Sequence, residues 1–256
     1  MSELTWENSN PVDACFISTR ERFIDNKIRG LDYLNKYDFL GHDLLGSPEC
    51  IYADLEDFKK YRGSKILVVG AGPTTNERGW NPSEYDYIFS CNHFYLNEKL
   101  QEVKVDLCLI CNEVDLSDRV FLDYVTRHKT NVGFEDYNND IQQVRDLSKK
   151  LEGRVFQCLT RFQGKIGVAP KLIILATALG ARQVDFVGVD GTPKDYKQGE
   201  ISAHSFEENK VFRDSYPYDL LLSHYRLLKK YLNEIGSGVI YTNLGAGHEY
   251  NCLSKV

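Results

Sequence analysis

The stretch KILVVGAGPTTNE, residues 65–77, decides the fold. Its first five residues are mostly branched and apolar, which is typical of a strand buried inside a sheet. Glycines directly after such a strand let the backbone turn tightly and approach a ligand closely. Backbone amides in such a turn can bind phosphate. The stretch therefore predicts a strand and a phosphate-binding turn, here called the glycine turn: Gly70, Ala71, Gly72, Pro73 and Thr74.

The glycine turn matches neither of two common nucleotide-binding signatures. A Rossmann dinucleotide fingerprint has a third glycine, which is absent, and Pro73 occupies the turn instead. A P-loop continues into Gly-Lys-Ser/Thr, which does not follow either. A plain strand-to-loop turn remains the alternative interpretation.

Apolar runs alternate with amphipathic stretches after the turn. The predicted strands are 65–70, 85–90, 105–111, 130–134, 154–159, 184–189 and 238–243. The predicted helices are Phe94–Glu102, Leu116–His128, Ile141–Leu151, Val168–Leu179 and Tyr218–Ile235. This alternation predicts an α/β fold: a single Rossmann-like domain with a mostly parallel sheet and helices on both faces.

Two further segments stand apart from this pattern. Residues 1–63 are rich in charged and aromatic residues, with helical patterns at 18–36 and 52–61. We therefore expect an N-terminal helical extension over 1–63 and a nucleotide-binding α/β domain over 64–256. Residues 191–216 form the longest stretch without periodicity, and a loop of that length in a compact domain is usually functional or mobile.

Composition disfavours several classes of protein. The 256 residues are 42% hydrophobic, which is enough for one core. The formal net charge of -6 gives no overall basic surface for nucleic acid. No apolar run approaches the roughly 20 residues of a membrane span. The N-terminus lacks the pattern of a secretory signal, so we expect a cytoplasmic protein.

The seven cysteines are odd in number and irregularly spaced, which favours reduced thiols over a disulfide framework. Cys108 and Cys111 form a C-x-x-C pattern on a predicted strand. Residues three apart on a strand point to opposite faces. We therefore interpret both as small core residues and predict no metal site.

Polar residues follow three predicted strands at their carboxyl ends, where parallel α/β sheets bind ligands. They are Asn92, His93, Asn112, Gly188, Asp190 and Gly191. Asparagine can hydrogen-bond a base, ribose or phosphate, but it is also common in turns. Asp190 can bind a ribose hydroxyl or cap a loop amide. Both interpretations stay open for each residue.

The order of these motifs resembles the sialyltransferases of glycosyltransferase family 42. The resemblance is carried by KILVVGAGPTTNE, YDYIFSCNHFY, VDLCLICN and GKIGVAPKLIILATALGARQVDFVGVDGT. The chain is similar also to bacterial proteins of the pterin-pyrophosphokinase-like superfamily, through LEDFKKYRGSK at 55–65. In the sialyltransferases these motifs hold a cytidine monophosphate (CMP) donor.

The resemblance implies a glycosyltransferase that moves a sugar from a CMP- or UDP-type donor, without a metal or further cofactor. The implied acceptor is a hydroxyl of a glycan or of a modified DNA base. Association of several copies of the chain into a homo-oligomer also stays open. The resemblance and the position of polar residues at strand ends together predict which residues contact the donor. They are Gly70, Ala71, Gly72, Pro73, Thr74, Asn92, His93, Asn112, Gly188, Asp190 and Gly191. Two departures from the family are Ala71, where it has asparagine, and Lys165 to Val168, where it has R-I-T-S-G.

Sugar transfer requires charge stabilisation on the leaving phosphate and removal of a proton from the acceptor. The resemblance implies that Tyr196 serves the first task, assisted by Lys165 or Arg161. Histidine is the default base, and His204 and His224 are the candidates, with His93 and His248 as further possibilities. For these histidines a non-catalytic role also stays open, either as a solvent-exposed residue or as a hydrogen-bonded residue of the core. Two other functions also stay open: an ATP- and Mg²⁺-dependent pyrophosphokinase-like enzyme, and a non-catalytic nucleotide-binding regulator.

Overall fold

A single eight-stranded sheet organises the computed structural model. The structure describes residues 15–17, 58–111, 114–134, 141–152, 154–160, 167–193, 195, 197–211, 225, 226, 228, 229, 232, 233 and 238–245. The strands are β1 (Cys15–Ile17), β2 (Lys65–Val69), β3 (Tyr87–Cys91), β4 (Leu107–Ile110), β5 (Asn131–Phe134), β6 (Val155–Thr160), β7 (Gln183–Val187) and β8 (Ile240–Asn243). Strands β2 to β8 correspond to the seven predicted ones.

The strand order is β1-β6-β5-β4-β3-β2-β7-β8. Strands β2 to β8 pair in parallel, and β1 alone pairs antiparallel, with β6. The chain builds outward from β2 to β6 and then crosses back to place β7 on the other side of β2. This reversal between β2 and β7 is a topological switch point, where open α/β sheets form their ligand crevice. The predicted α/β class and mostly parallel sheet are confirmed.

Among the described residues, four helices and two 3-10 turns with defined bounds connect the strands. They are α1 (Thr74–Glu77), α2 (Arg119–Arg127), α3 (Ile141–Leu151) and α4 (Val168–Ala178), with 3-10 turns at Pro82–Glu84 and Phe94–Leu96. Because parallel crossovers are right-handed, connections made in opposite directions along the sheet lie on opposite faces. Residues 66–69 of β2 are fully buried, and most of α4 is buried where it packs across β2, β3, β4 and β7.

The predicted helix at Phe94–Glu102 is wrong. After the short 3-10 turn the chain forms non-helical turns, because the Asn97 side chain takes over the local hydrogen bonding. Its Oδ1 accepts the N–H of Lys99 at 3.0 Å, and its Nδ2 donates to Ser205 O at 2.8 Å. Such side-chain bonds compete with the helical ladder. The described residues of the last predicted helix, between 225 and 233, are helical.

Parts of the predicted N-terminal extension belong to the sheet and the core. Cys15–Ile17, just before the helical pattern at 18–36, is a strand, and it covers the edge of β6. The rings of Phe58 and Phe156 pack edge to face at 5.0 Å, and Tyr61 is fully buried. The other residues of 1–57 lie outside the described residues, and the domain boundary at 63 stays a prediction. Within the described part of the chain, no helix is long and apolar enough to cross a membrane.

Candidate functional site

A cleft of about 480 Å³ opens at the switch point, beyond the carboxyl ends of β2 and β7. Its walls come from the glycine turn and α1, the end of β3, the first turn of α4, the end of β7 and the loop at 202–204. The predicted donor residues that line it are Ala71, Gly72, Pro73, Thr74, Asn92, Gly188, Asp190 and Gly191. These positions are distant along the chain and meet in one cavity.

The glycines allow the ends of β2 and β7 to approach closely. Gly70 N donates to Val187 O at 2.8 Å, and Gly72 N donates to Gly188 O at 2.9 Å. A Cβ on Gly70 would collide with the carbonyl of Gly188, and a Cβ on Gly72 would collide with the carboxylate of Asp190. The glycines therefore serve strand-to-strand packing at the base of the cleft.

Asp190 clamps the start of α1. Its Oδ2 accepts the N–H of Thr74 at 3.0 Å, and its Oδ1 accepts the Thr74 hydroxyl at 2.6 Å. The Thr74 Oγ1 also accepts the N–H of Gly188 at 3.0 Å. Of the two roles that the sequence left open for Asp190, the structure shows the amide cap.

Few amides of the glycine turn remain available for a ligand. The N–H groups of Gly70, Gly72 and Thr74 are all used in the contacts just described, and Pro73 has none. The amide of Ala71 is the one in this turn that has no hydrogen-bond partner among the described residues. The turn therefore offers a phosphate group one amide rather than a cluster of them.

The N-terminus of α4 offers more amides, and sequence reasoning missed it. Gly167 precedes the helix with a positive φ of 76° and provides no side-chain cap, and Gly167, Val168 and Ala169 line the cleft. The first N–H groups of a helix lack intrahelical partners and carry a partial positive charge, which favours anions. A glycine before an apolar helix with Pro170 in its first turn was the available signal.

Asn92 links the ends of β3 and β4. It has a left-handed φ of 50°, which asparagine tolerates better than most residues. Its N–H donates to Leu109 O at 3.0 Å, and its Oδ1 accepts the N–H of Cys111 at 3.1 Å. Asn92 lines the cleft, and its side-chain NH₂ has no hydrogen-bond partner among the described residues, so this group is available to donate to a ligand.

The predicted functional loop packs against the glycine turn. Ser205 N donates to Ala71 O at 2.7 Å, and Ser205 Oγ donates to Gly72 O at 2.8 Å. An isolated bridge between Ile201 and Val211 closes this part of the loop. This docking places His204 in the lining of the cleft, and its catalytic role stays a prediction. Neither Ser205 nor its partner Asn97 carried a sequence signal, because their contacts are long-range.

Glu207 lies at the centre of a charged cluster beside His204. Its Oε2 is 2.7 Å from Lys210 Nζ and 3.2 Å from His93 Nδ1. Burial works to raise the pKa of Glu207, but the hydrogen bond from Lys210 and the nearby positive charges, chiefly those of His93 and Lys210, outweigh it, so the pKa is lowered. His93, expected to contact the donor, faces Glu207 and is not part of the cleft lining.

Several predicted residues lie outside the described residues: Asn112, Arg161, Lys165, Tyr196, His224 and His248. Their roles stay predictions. Cys108 is a buried free thiol, and Cys111 is half-buried at the end of β4. Across the described ranges, no group of three or more His, Cys, Asp or Glu is arranged to hold a metal ion.

Comparison with known proteins gives structural neighbours alone. No family model and no curated protein matches the sequence. The sialyltransferase CstII from Campylobacter jejuni, in complex with the substrate analogue cytidine-5′-monophosphate, superposes with a TM-score of 0.50 at 13% identity, covering 72% of this chain and 81% of that chain. CstII in complex with CMP-3FNeuAc gives a TM-score of 0.49 at 14% identity, covering 71% and 81%. The resemblance to pterin-pyrophosphokinase-like proteins stays a prediction. The chain shares the overall fold of the CMP-bound CstII structure.

Proposed function

We propose that this protein is a glycosyltransferase whose cleft binds a nucleotide-sugar donor, with a CMP-type donor as the first choice. One observation carries the proposal: the glycine turn, the Asn92 strand end and the α4 N-terminus line a single cleft at the switch point of the sheet. Its support from outside the chain is the shared fold with CstII, which has been solved with CMP.

The geometry favours binding of the donor phosphate at the start of α4. The amides of Gly167, Val168 and Ala169, with that of Ala71, lie around the cleft and suit an anionic oxygen. As the sugar departs, the bond between its anomeric carbon and the phosphate oxygen breaks, and both electrons stay on that oxygen. Preorganised amides stabilise this developing charge without reorganising. Lys165 and Tyr196 are proposed to assist.

The described lining of the cleft contains few side chains that could bind a phosphate, which makes its backbone N–H groups important. The ionisable side chains of the described lining are Glu77, Asp190, His204, Cys91 and Tyr225, and none of these is a lysine or arginine. A phosphate in this part of the cleft therefore depends on N–H groups for its stabilisation. We propose that the reaction needs no metal. We propose that the sugar is transferred to a hydroxyl group of a glycan or of a modified DNA base.

A thermal-shift panel of CMP, UDP, GDP and ATP, each with and without EDTA, tests the binding proposal. A ligand that binds the native state at about 100 times its Kd stabilises it by about 2.7 kcal/mol. For a domain of about 150–250 residues this raises the Tm by about 5–10 °C. We expect this shift with CMP, unchanged by EDTA. A full shift with ATP and Mg²⁺ that EDTA abolishes would favour the pyrophosphokinase alternative instead.

Asn92→Asp tests whether the cleft is where CMP binds. The aspartate keeps the oxygen that accepts the N–H of Cys111, but it loses the NH₂ donor and adds a charge that repels phosphate. The matched control is Asn81→Asp, because Asn81 is exposed and its Oδ1 likewise accepts a backbone N–H, that of Ser83. We expect Asn92→Asp to lose the CMP shift and Asn81→Asp to keep it. A full shift in both variants would contradict the proposed site.

Turnover is measured as release of CMP from CMP-N-acetylneuraminic acid, with and without lactose as a simple glycan acceptor. We expect release that lactose accelerates or diverts into a sialylated product. CMP binding with no release from this donor, and none from other CMP- or UDP-linked sugars, would favour a nucleotide-binding regulator.

A further inference from the structure

The ring of His204 has a defined hydrogen-bonding state. Its Nδ1 lies 3.0 Å from the backbone N of Glu207 and 3.4 Å from that of Phe206, and both N–H groups point at it as donors. A neutral imidazole has one N–H and one lone pair. Since Nδ1 supplies the lone pair to these amides, the proton of the neutral ring is on Nε2.

This tautomer limits the chemistry that His204 can perform in the cleft. A general base must offer a lone pair to the proton that it removes. In the neutral ring that lone pair is occupied by the Glu207 amide, and Nε2 carries hydrogen. Protonation at Nδ1 would place one N–H against another, so the loop would first have to lose these bonds. His204 is therefore suited to donate a hydrogen bond through Nε2.

Glu207 holds its own backbone in the position that fixes this tautomer. Its carboxylate is anchored by Lys210 at 2.7 Å and lies 3.2 Å from His93 on the β3 side of the cleft. The His204 Nε2 is 3.9 Å from the same carboxylate oxygen, beyond hydrogen-bond distance. The anchored side chain keeps the loop turn closed, and the turn presents the Glu207 amide to His204.

We infer that His204 donates an Nε2 hydrogen bond to the departing phosphate rather than serving as the base, and that Glu207 is the positioning residue for this role. The inference rests on the proposed function. The anomeric carbon–oxygen bond breaks, its electron pair stays on the phosphate oxygen, and His204 keeps its proton while it stabilises that oxygen. The acceptor oxygen forms the new bond to the anomeric carbon, and its proton passes to water.

Nitrogen-15 NMR of the protein labelled at its six histidines tests the tautomer directly. The His204 signals are assigned by their disappearance in His204→Gln. At about pH 7.5 we expect the Nε2–H form. Glu207→Ala is expected to produce a mixture of tautomers, while Glu207→Gln, whose amide oxygen still accepts from Lys210, keeps the Nε2–H form. An Nδ1–H form or an imidazolium in the wild type would overturn the inference, whether or not the protein turns over any donor. An unchanged tautomer in Glu207→Ala would overturn the role of Glu207.

Two substitutions of His204 separate a hydrogen-bond donor from a base. Glutamine places an NH₂ near the position of Nε2 but cannot take up a proton, whereas phenylalanine keeps the ring without the donor. Loss of one such donor typically costs about 10²–10³-fold in rate. For release of CMP from CMP-N-acetylneuraminic acid, we expect His204→Phe to fall by about this factor and His204→Gln to stay within about tenfold of wild type.

An equal, large fall in both variants, with the CMP thermal shift intact, would overturn the inference and leave the proposed function standing. The Tm of each variant without ligand serves as the folding control. Failure of the wild type to bind CMP or any other nucleotide would instead overturn the proposed function, and the NMR result still decides the tautomer.

Discussion

Replacement of Thr74 by valine removes the hydroxyl bonds that join the start of α1 to the end of β7, while keeping the shape of the side chain. Valine lacks the hydroxyl that donates to Asp190 at 2.6 Å and accepts from Gly188 at 3.0 Å. A hydrogen bond to a charged group contributes about 1.5–3 kcal/mol, and an unpaired buried N–H costs about 1–3 kcal/mol. The backbone bond from Thr74 N to Asp190 survives, so only these two contributions are lost. Together they lower the free energy of unfolding by about 2.5–6 kcal/mol.

Urea denaturation of Thr74→Val and Thr74→Ser measures this loss. Serine keeps both hydroxyl bonds and loses one buried methyl, which costs about 1 kcal/mol. With a urea dependence of about 2–3 kcal/mol/M, the urea midpoint of the valine variant should lie about 1–3 M below that of the wild type, and that of the serine variant less than about 0.5 M below it. Equal midpoints for the two variants would refute the clamp as a source of stability.

Three further predictions concern the same region. Gly72→Ala sets a methyl against the Asp190 carboxylate, so we expect a loss of about 1–3 kcal/mol by urea denaturation together with loss of the CMP shift; wild-type stability would contradict the close packing. The lowered pKa of Glu207 stabilises the fold above its ordinary value of 4.5, and this contribution is lost as the pH falls through the lowered value. Between about pH 5 and 3 the wild type should therefore lose more stability than Glu207→Gln, and equal losses would contradict the ion cluster. Burial raises the pKa of the Cys91 and Cys108 thiols, so mass spectrometry should find both unmodified after brief exposure of the native protein to N-ethylmaleimide at about pH 7.5. If the two thiols of the native protein reacted as fast as those of the protein unfolded in urea, the predicted protection by burial would be wrong.

The parallel sheet was predictable because its signal is local. Residues 66–69 are buried on both faces of the sheet, and this burial leaves an uninterrupted apolar run in the sequence. The same reasoning located the carboxyl ends of β3 and β7, and through them Asn92 and Asp190. Strand ends meet at one edge of a parallel sheet whatever the loops between them do.

The contacts that decide the chemistry were not predictable, because each depends on a distant partner. Asp190 had two possible roles until Thr74 was found beside it. Asn97 was predicted inside a helix, but its side chain bonds Ser205, 108 residues away. The tautomer of His204 follows from a loop turn that has no hydrophobic period. The strand β1 is three residues long, which is too short for a pattern.

The clamp between Thr74 and Asp190 joins residues 116 positions apart, and this separation determines the order in which parts of the protein can fold. Strands β2 to β6 follow one another along the chain and can pair as they leave the ribosome. The crevice does not exist until β7 has been synthesised and has inserted beside β2. Bringing such distant segments together lowers the conformational entropy of the chain before the contacts between them can stabilise the fold. The ligand pocket is therefore among the last parts of the molecule to form, and a bound nucleotide would hold that late step in place.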